Sequence, residues 1–150
     1  MSAQPLVLQV DGTPGVEPRG TAGIGIVVRS AGGQVLRTRC VRAPAWTNTE
    51  AEYQAVIAGL TFVLRAFPGA PVRCMTDSRV VVDQLSGRAA VRVGPLQPLF
   101  TEAQALMRQF AAIELLAIPR ELNQLADALA WEALRGRRRI VRFGAKRDGG

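Results

Sequence analysis

At Thr47 the hydrophobic pattern of the chain changes period from two to 3.6, and that switch constrains the fold more than any other feature. Before it, short β-forming runs are separated by turn residues. Pro5 to Val10 reads as a strand ending at Asp11-Gly12, and Pro14, Gly15, Pro18 and Gly20 make the following segment a loop. Ile24, Ile26 and Val28 alternate with small residues, Ala31-Gly32-Gly33 turns the chain, and Val35 to Val41 returns, which predicts a hairpin.

After the switch, Tyr53, Ile57, Leu60, Leu64 and Phe67 fall on one helical stripe, Thr47 and Glu50 form a capping box, and Pro68-Gly69 ends the helix. Val72 to Met75 predicts a strand, after which Asp77 caps a helix running to about Leu85. Gly94-Pro95 opens an amphipathic helix that ends near Ala112, and Ile113 to Ile118 is the last strand. A helix from Leu122 to Leu134 closes the pattern, with Leu122, Ala126, Leu129 and Ala133 on one stripe. This order predicts an α/β domain. Its five-stranded mixed sheet joins an antiparallel meander to parallel strands, with helices on both faces.

At 150 residues the chain is one domain's worth, and 48% hydrophobic with 21% charged residues is a globular composition. No apolar run is long enough for a membrane span, and the opening MSAQPLVLQV has no basic region ahead of a signal-like stretch. The cytoplasm is therefore the expected compartment, with Cys40 and Cys74 reduced. Positive charge is concentrated at one end. In residues 135–150 seven basic side chains oppose only Asp148, so this segment carries +6 of the chain's +7. The expectation is a functional body at 1–134 and a basic tail at 135–150 that meets nucleic acid, anionic lipid or neither, and that adds non-specific contact through charge where it meets nucleic acid.

Four acids stand at element boundaries. Asp11 follows the first strand, Glu52 lies in the first turn of the long helix, Asp77 follows the fourth strand, and Asp127 is one turn into the last helix. Most have an ordinary structural job available: Asp11-Gly12 is a turn pair, Asp77 is a helix cap, and Asp127 is a solvated helix position. Glu50 is accounted for as the capping partner of Thr47. Glu52, about 200° around the helix from Glu50, has no such role. Asp127 sits between Ala126 and Ala130, small neighbours that leave room for an ion.

The blocks DGT (11–13), TNTEAEYQAVIAGL (47–60), TDSRVVVDQL (76–85) and IPRELNQLADALA (118–130) occur in this order and at these spacings. They resemble the four motif blocks of type 1 ribonuclease H, in the short form without an extra basic helix-loop region, across residues 5–134. The resemblance implies the ribonuclease H-like fold and a catalytic, metal-binding set of Asp11, Glu52, Asp77 and Asp127. It further implies that Asp11 bridges two ions, that Asp77 and Asp127 hold the ion activating water, and that Glu52 serves the leaving-group side. Asn48 takes the place of the family's minor-groove reader, and Thr49 stands where a second Asn is often found. Gly12, Thr13 and Arg79 lie where family members touch substrate.

The chemistry accords with that set. Phosphodiester hydrolysis needs an in-line water, charge neutralisation at phosphorus and a stabilised leaving oxygen, which two divalent ions about 4 Å apart supply together. Hard carboxylate oxygens suit Mg²⁺ or Mn²⁺. The expected activity is hydrolysis of the RNA strand of RNA:DNA hybrids to 5′-phosphate and 3′-hydroxyl ends, by a monomer with no membrane partner. One departure is the absence of histidine. Many family members place one in a loop before the last Asp, where this chain has Pro119-Arg120-Glu121-Leu122, so Arg120 or Glu121 is the available substitute and slower turnover is expected.

A second reading, from a different class, is a catalytically weak module that binds hybrid or double-stranded RNA by shape and 2′-hydroxyl contacts. Four acids facing a polyanion disfavour it unless metal neutralises them. A third is a proofreading exonuclease on the same fold, but such enzymes carry an acidic pair two residues apart on the first strand, and Thr13 stands two after Asp11.

Overall fold

The computed structural model describes residues 4–16, 19–92 and 94–135. The strands are β1 (Leu6–Pro14), β2 (Thr21–Arg29), β3 (Val35–Pro44), β4 (Val72–Thr76) and β5 (Ile113–Ala117). The helices are α1 (Asn48–Ala66), α2 (Arg79–Leu85), α3 (Leu96–Met107) and α4 (Gln124–Arg135), with a 3-10 turn at Arg120–Leu122. The five strands form one sheet in the order β3-β2-β1-β4-β5, antiparallel from β3 to β1 and parallel from β1 to β5.

Alternation along the strands sorts the two faces. Leu8, Val10, Ile24, Ile26 and Val28 are buried on one side against Tyr53, Val56, Leu60 and Val63 of α1, and this is the main core. Each fully buried aliphatic side chain contributes about 1.5–3 kcal/mol to holding α1 on the sheet. On the other face α4 lies directly over β2. A methyl group on Gly25 would overlap the Ala126 carbonyl, so the approach depends on a residue without Cβ. Arg42 of β3 reaches across to donate to the Ala133 and Leu134 carbonyls at 2.8 Å each, which fixes the C-terminal end of α4.

Several boundaries differ from those expected. β1 does not stop before Asp11; it runs to Pro14, because β2 continues to pair with it through Pro14↔Ala22. Asp77 is not the cap of α2. Ser78 is, its Oγ accepting from the Val81 amide at 3.3 Å. α3 ends at Met107, short of Ala112, since its last bonds tighten to the i→i+3 type and the Ala112 carbonyl is drawn to the Val72 amide at 3.1 Å, aligning β5 with β4. Leu122 is exposed and belongs to the 3-10 turn, so the buried stripe of α4 is Ala126, Ala130 and Ala133.

Cys40 and Cys74 lie on β3 and β4, three strand spacings or about 14 Å apart, too far for a disulfide. Among the described residues no helix is long and apolar enough to cross a membrane. The domain end expected at Leu134 falls in the last turn of α4, and the basic segment beyond Arg135 lies outside the described residues.

Candidate active site

The site begins where β1 and β4 part. Their parallel ladder closes with Gln9↔Met75, whereas β1 goes on beside β2, and the crevice at the carboxyl ends of these strands is where open α/β sheets place ligands. Asp11 stands on β1 just beyond the fork, only 5% exposed, and Asp77 directly follows β4. Because Ser78 supplies the cap of α2, the Asp77 carboxylate is left to the crevice.

Glu52 comes not from the first turn of α1, as expected, but from the start of its second, since the helix begins at Asn48 and only Glu50 is an acid of the first turn. Thr47 Oγ1 accepts from the Glu50 amide at 3.1 Å, and the Glu50 carboxylate reaches back to the Trp46 amide at 2.8 Å, one residue earlier than in the usual capping box. With Glu50 so engaged, Glu52 turns inward and accepts the Gly12 amide at 3.2 Å. A methyl on Gly12 would overlap the Ala51 carbonyl, so glycine is what lets the start of α1 approach β1. Oxygens of Asp11, Glu52 and Asp77 all lie within 4.8 Å of one another. Asp127 approaches Asp11 from the α4 side, close enough to act on it through a hydrogen bond and charge, but it lies outside that tight group of three.

Such crowding disfavours full ionisation. Burial, followed by the charge on Glu52 and the contacts with Asp127 and Asp77, holds the Asp11 carboxyl well above the usual carboxylate range. Burial and the Asp77 charge push Glu52 up to about 8, partly opposed by the Gly12 N–H and the Arg120 cation. A hard divalent cation relieves both penalties, so the all-carboxylate donor set fits such an ion.

All nine residues expected at the site, Asp11, Gly12, Thr13, Asn48, Thr49, Glu52, Asp77, Arg79 and Asp127, line one cleft of about 470 Å³. Ser78, Val80, Arg120 and Trp131 complete it. Of the two candidates for the missing histidine, Arg120 enters the cleft, while Glu121 is exposed and outside the lining. The sequence pattern does not single out Trp131, although its position four residues after Asp127 places it on the same helical face. Nor does it single out Asn123, which is buried at the start of α4 and donates to the Val10 carbonyl at 2.9 Å and to Asp77 Oδ2 at 3.4 Å.

A family model described as reverse transcriptase-like matches residues 9–133. The bifunctional protein Rv2228c of Mycobacterium tuberculosis is 36% identical over 130 residues, covering 86% of this chain and 35% of that protein, so the chain spans about a third of this curated relative's length. The crystal structure of RNase H1 from the halophilic archaeon Halobacterium salinarum superposes with a TM-score of 0.81 at 30% identity, over 88% of this chain and 98% of that one. LC11-RNase H1 in complex with an RNA/DNA hybrid gives 0.78 at 29% identity, over 87% and 97%.

Proposed function

The chain belongs to the type 1 ribonuclease H family, and from that premise we propose that it is a metal-dependent endonuclease hydrolysing the RNA strand of RNA:DNA hybrids to 5′-phosphate and 3′-hydroxyl ends. The observation that carries the reading is the convergence of Asp11, Glu52 and Asp77 within 4.8 Å in a cleft that also contains Asn48 and Arg79. The solved complex of a similar protein with an RNA/DNA hybrid supports the choice of substrate.

Two divalent ions, Mg²⁺ or Mn²⁺, would supply Lewis acidity at the attacking and leaving oxygens when bound by these carboxylates. Asp11, whose carboxyl is influenced by Glu52, Asp77 and Asp127 alike, would be the ligand common to both ions. Asp77 and Asp127 would serve the side on which water attacks, and Glu52 the leaving-group side. Its bond from Gly12 holds Glu52 toward β1, and that backbone–carboxylate contact orients it before substrate arrives. Asn48 and Thr49, at the start of α1, lie along the cleft wall where they would read the 2′-hydroxyl face of the RNA strand. Thr13, Arg79 and Arg120 would contact phosphates, with Arg120 taking the electrostatic part of the loop that lacks histidine.

The reading takes the chain to act as a monomer. The cytoplasm is the compartment proposed for this activity. The basic residues of 135–150, treated as a segment separate from the 1–134 domain, would add non-specific phosphate contacts. Labelled RNA:DNA hybrid, single-stranded RNA and duplex DNA, each incubated with and without Mg²⁺ or Mn²⁺, test the reading. Metal-dependent cleavage confined to hybrid is expected. Cleavage that survives EDTA, or duplex DNA cut as fast as hybrid, would sink it, and tight hybrid binding without cleavage would favour the binding-module reading.

A further inference from the structure

Asn123 is only 1% exposed and bears no charge, yet its bonds touch three of the segments that carry the acidic set. Its Nδ2 donates to the carbonyl of Val10, the residue before Asp11, at 2.9 Å. The same group lies 3.4 Å from Asp77 Oδ2, at the long end of hydrogen bonding and charge-assisted when that carboxylate is ionised. Its backbone carbonyl accepts the Asp127 amide at 3.0 Å, closing the first turn of α4.

The position explains why a donor is needed there. The Val10 carbonyl lies one residue past Gln9↔Met75, where β4 no longer pairs with β1. The amide's orientation is also determined, because turned over it would set Oδ1 against a carbonyl and a carboxylate, both acceptors. In the observed orientation Oδ1 has no hydrogen-bond partner among the described residues. Asn123 therefore satisfies the buried Val10 carbonyl, and what sets it apart from a purely structural amide is its contact with Asp77.

We infer that Asn123 is a positioning residue of the metal centre: one side chain and one carbonyl hold β1 at Asp11, the Asp77 carboxylate, and α4 at Asp127 in a single frame. The inference rests on the metal-dependent reading above. Outer groups that orient metal ligands in this way are worth about 10–100-fold in affinity or activity when removed.

Gln9 supplies the control. It is also a buried amide on β1, and it ties β1 to the same loop through the Leu122 carbonyl at 3.0 Å and to Arg29 at 2.7 Å, and neither bond involves a carboxylate of the site. Mn²⁺ binding by calorimetry without substrate, kcat and KM on hybrid, and thermal stability are compared for wild type, Asn123→Ala and Gln9→Ala. Asn123→Ala is expected to weaken Mn²⁺ binding and lower kcat by about tenfold each with little change in KM, while Gln9→Ala loses stability but keeps both. Wild-type Mn²⁺ affinity and kcat in Asn123→Ala, or equal losses in Gln9→Ala, would overturn the inference. If Asn123→Ala does not fold, Asn123→Ser takes its place: one hydroxyl proton can serve Val10 O or Asp77 but not both, so Mn²⁺ affinity and kcat should fall as in Asn123→Ala, and wild-type values of both would overturn the inference equally. A wild-type chain that leaves hybrid uncut would refute the proposed activity, and the Mn²⁺ measurement would still decide the role of Asn123.

Discussion

The Gly12 amide donates to Glu52 Oε1 at 3.2 Å, so the residue after one carboxylate of the site holds the side chain of another, 40 positions along the chain. Glu50, two residues before Glu52, instead closes the start of α1 through the Trp46 amide. Glu50→Gln should keep near-normal cleavage of hybrid and lose at most ~1 kcal/mol of stability. Glu52→Gln should lose cleavage while folding normally. Parallel kinetics and thermal melts of the two variants check this, and an inactive Glu50→Gln beside an active Glu52→Gln would reverse the assignment.

Asp11→Asn and Asp77→Asn should each lower kcat by about a thousandfold or more, the scale of removing a group that supports transition-state charge stabilisation. Circular dichroism should show an unchanged fold. Without metal, Asp11→Asn should melt at a higher temperature than wild type, because it removes a buried acid from among like charges.

The carboxyl groups of Asp11 and Glu52 are both raised, Glu52 to about 8 from an ordinary 4.5, so between those values the folded chain holds more protons than the unfolded one. Stability of the metal-free protein is then full below the ordinary carboxylate range and falls as pH rises through about 8. Melting temperatures in EDTA should decline from mildly acidic to alkaline pH. Saturating Mg²⁺ or Mn²⁺ should remove the decline, and Mn²⁺ affinity should increase with pH as protons leave the site. A metal-free melting temperature that rises over this interval would contradict the burial of these acids.

Gly25→Ala places a methyl against the Ala126 carbonyl and drives α4 away from β2. The expected loss is at the upper end of ~1–3 kcal/mol, since the obstacle is backbone and cannot rotate aside. Activity should fall even in folded protein, because Asp127 follows Ala126 on the displaced helix. Denaturant melts and kinetics below the melting temperature separate the two effects.

Truncation after Arg135 removes six of the 19 basic residues. For each phosphate that thereby goes without a cationic partner, the log-log salt dependence of hybrid binding should flatten by about 0.9, the value for B-DNA. KM should rise, whereas kcat at saturation and the preference for hybrid over duplex DNA should hold, because charge interactions with the backbone carry no information about strand type. An unchanged salt slope would mean that this segment does not touch substrate.

The amino-acid sequence by itself determined the element order, the hairpin of β2 and β3, the cap at Thr47 and the four acids that the fold gathers. These depend on periodicity and on bonds spanning a few residues, which leave a local trace. The distinction between Glu50 and Glu52 was legible for the same reason: a helix sets the angle between its own residues.

Tertiary structure decided what depends on distant partners. β1 continues past Asp11 because β2 is there to pair with it, and no local signal at an Asp-Gly pair reports a neighbour 14 residues away at Gly25. Whether Asp77 or Ser78 caps α2 was undetermined by composition, both being good caps; the crevice claims Asp77, and Ser78 takes the helix. Leu122 fitted the helical stripe, yet the 3-10 turn leaves it in solvent and buries Asn123, whose bond to Val10 spans 113 positions. A polar residue in such a place is specified by the acceptor it meets across the fold, and that acceptor exists only once β1, β4 and α4 have come together.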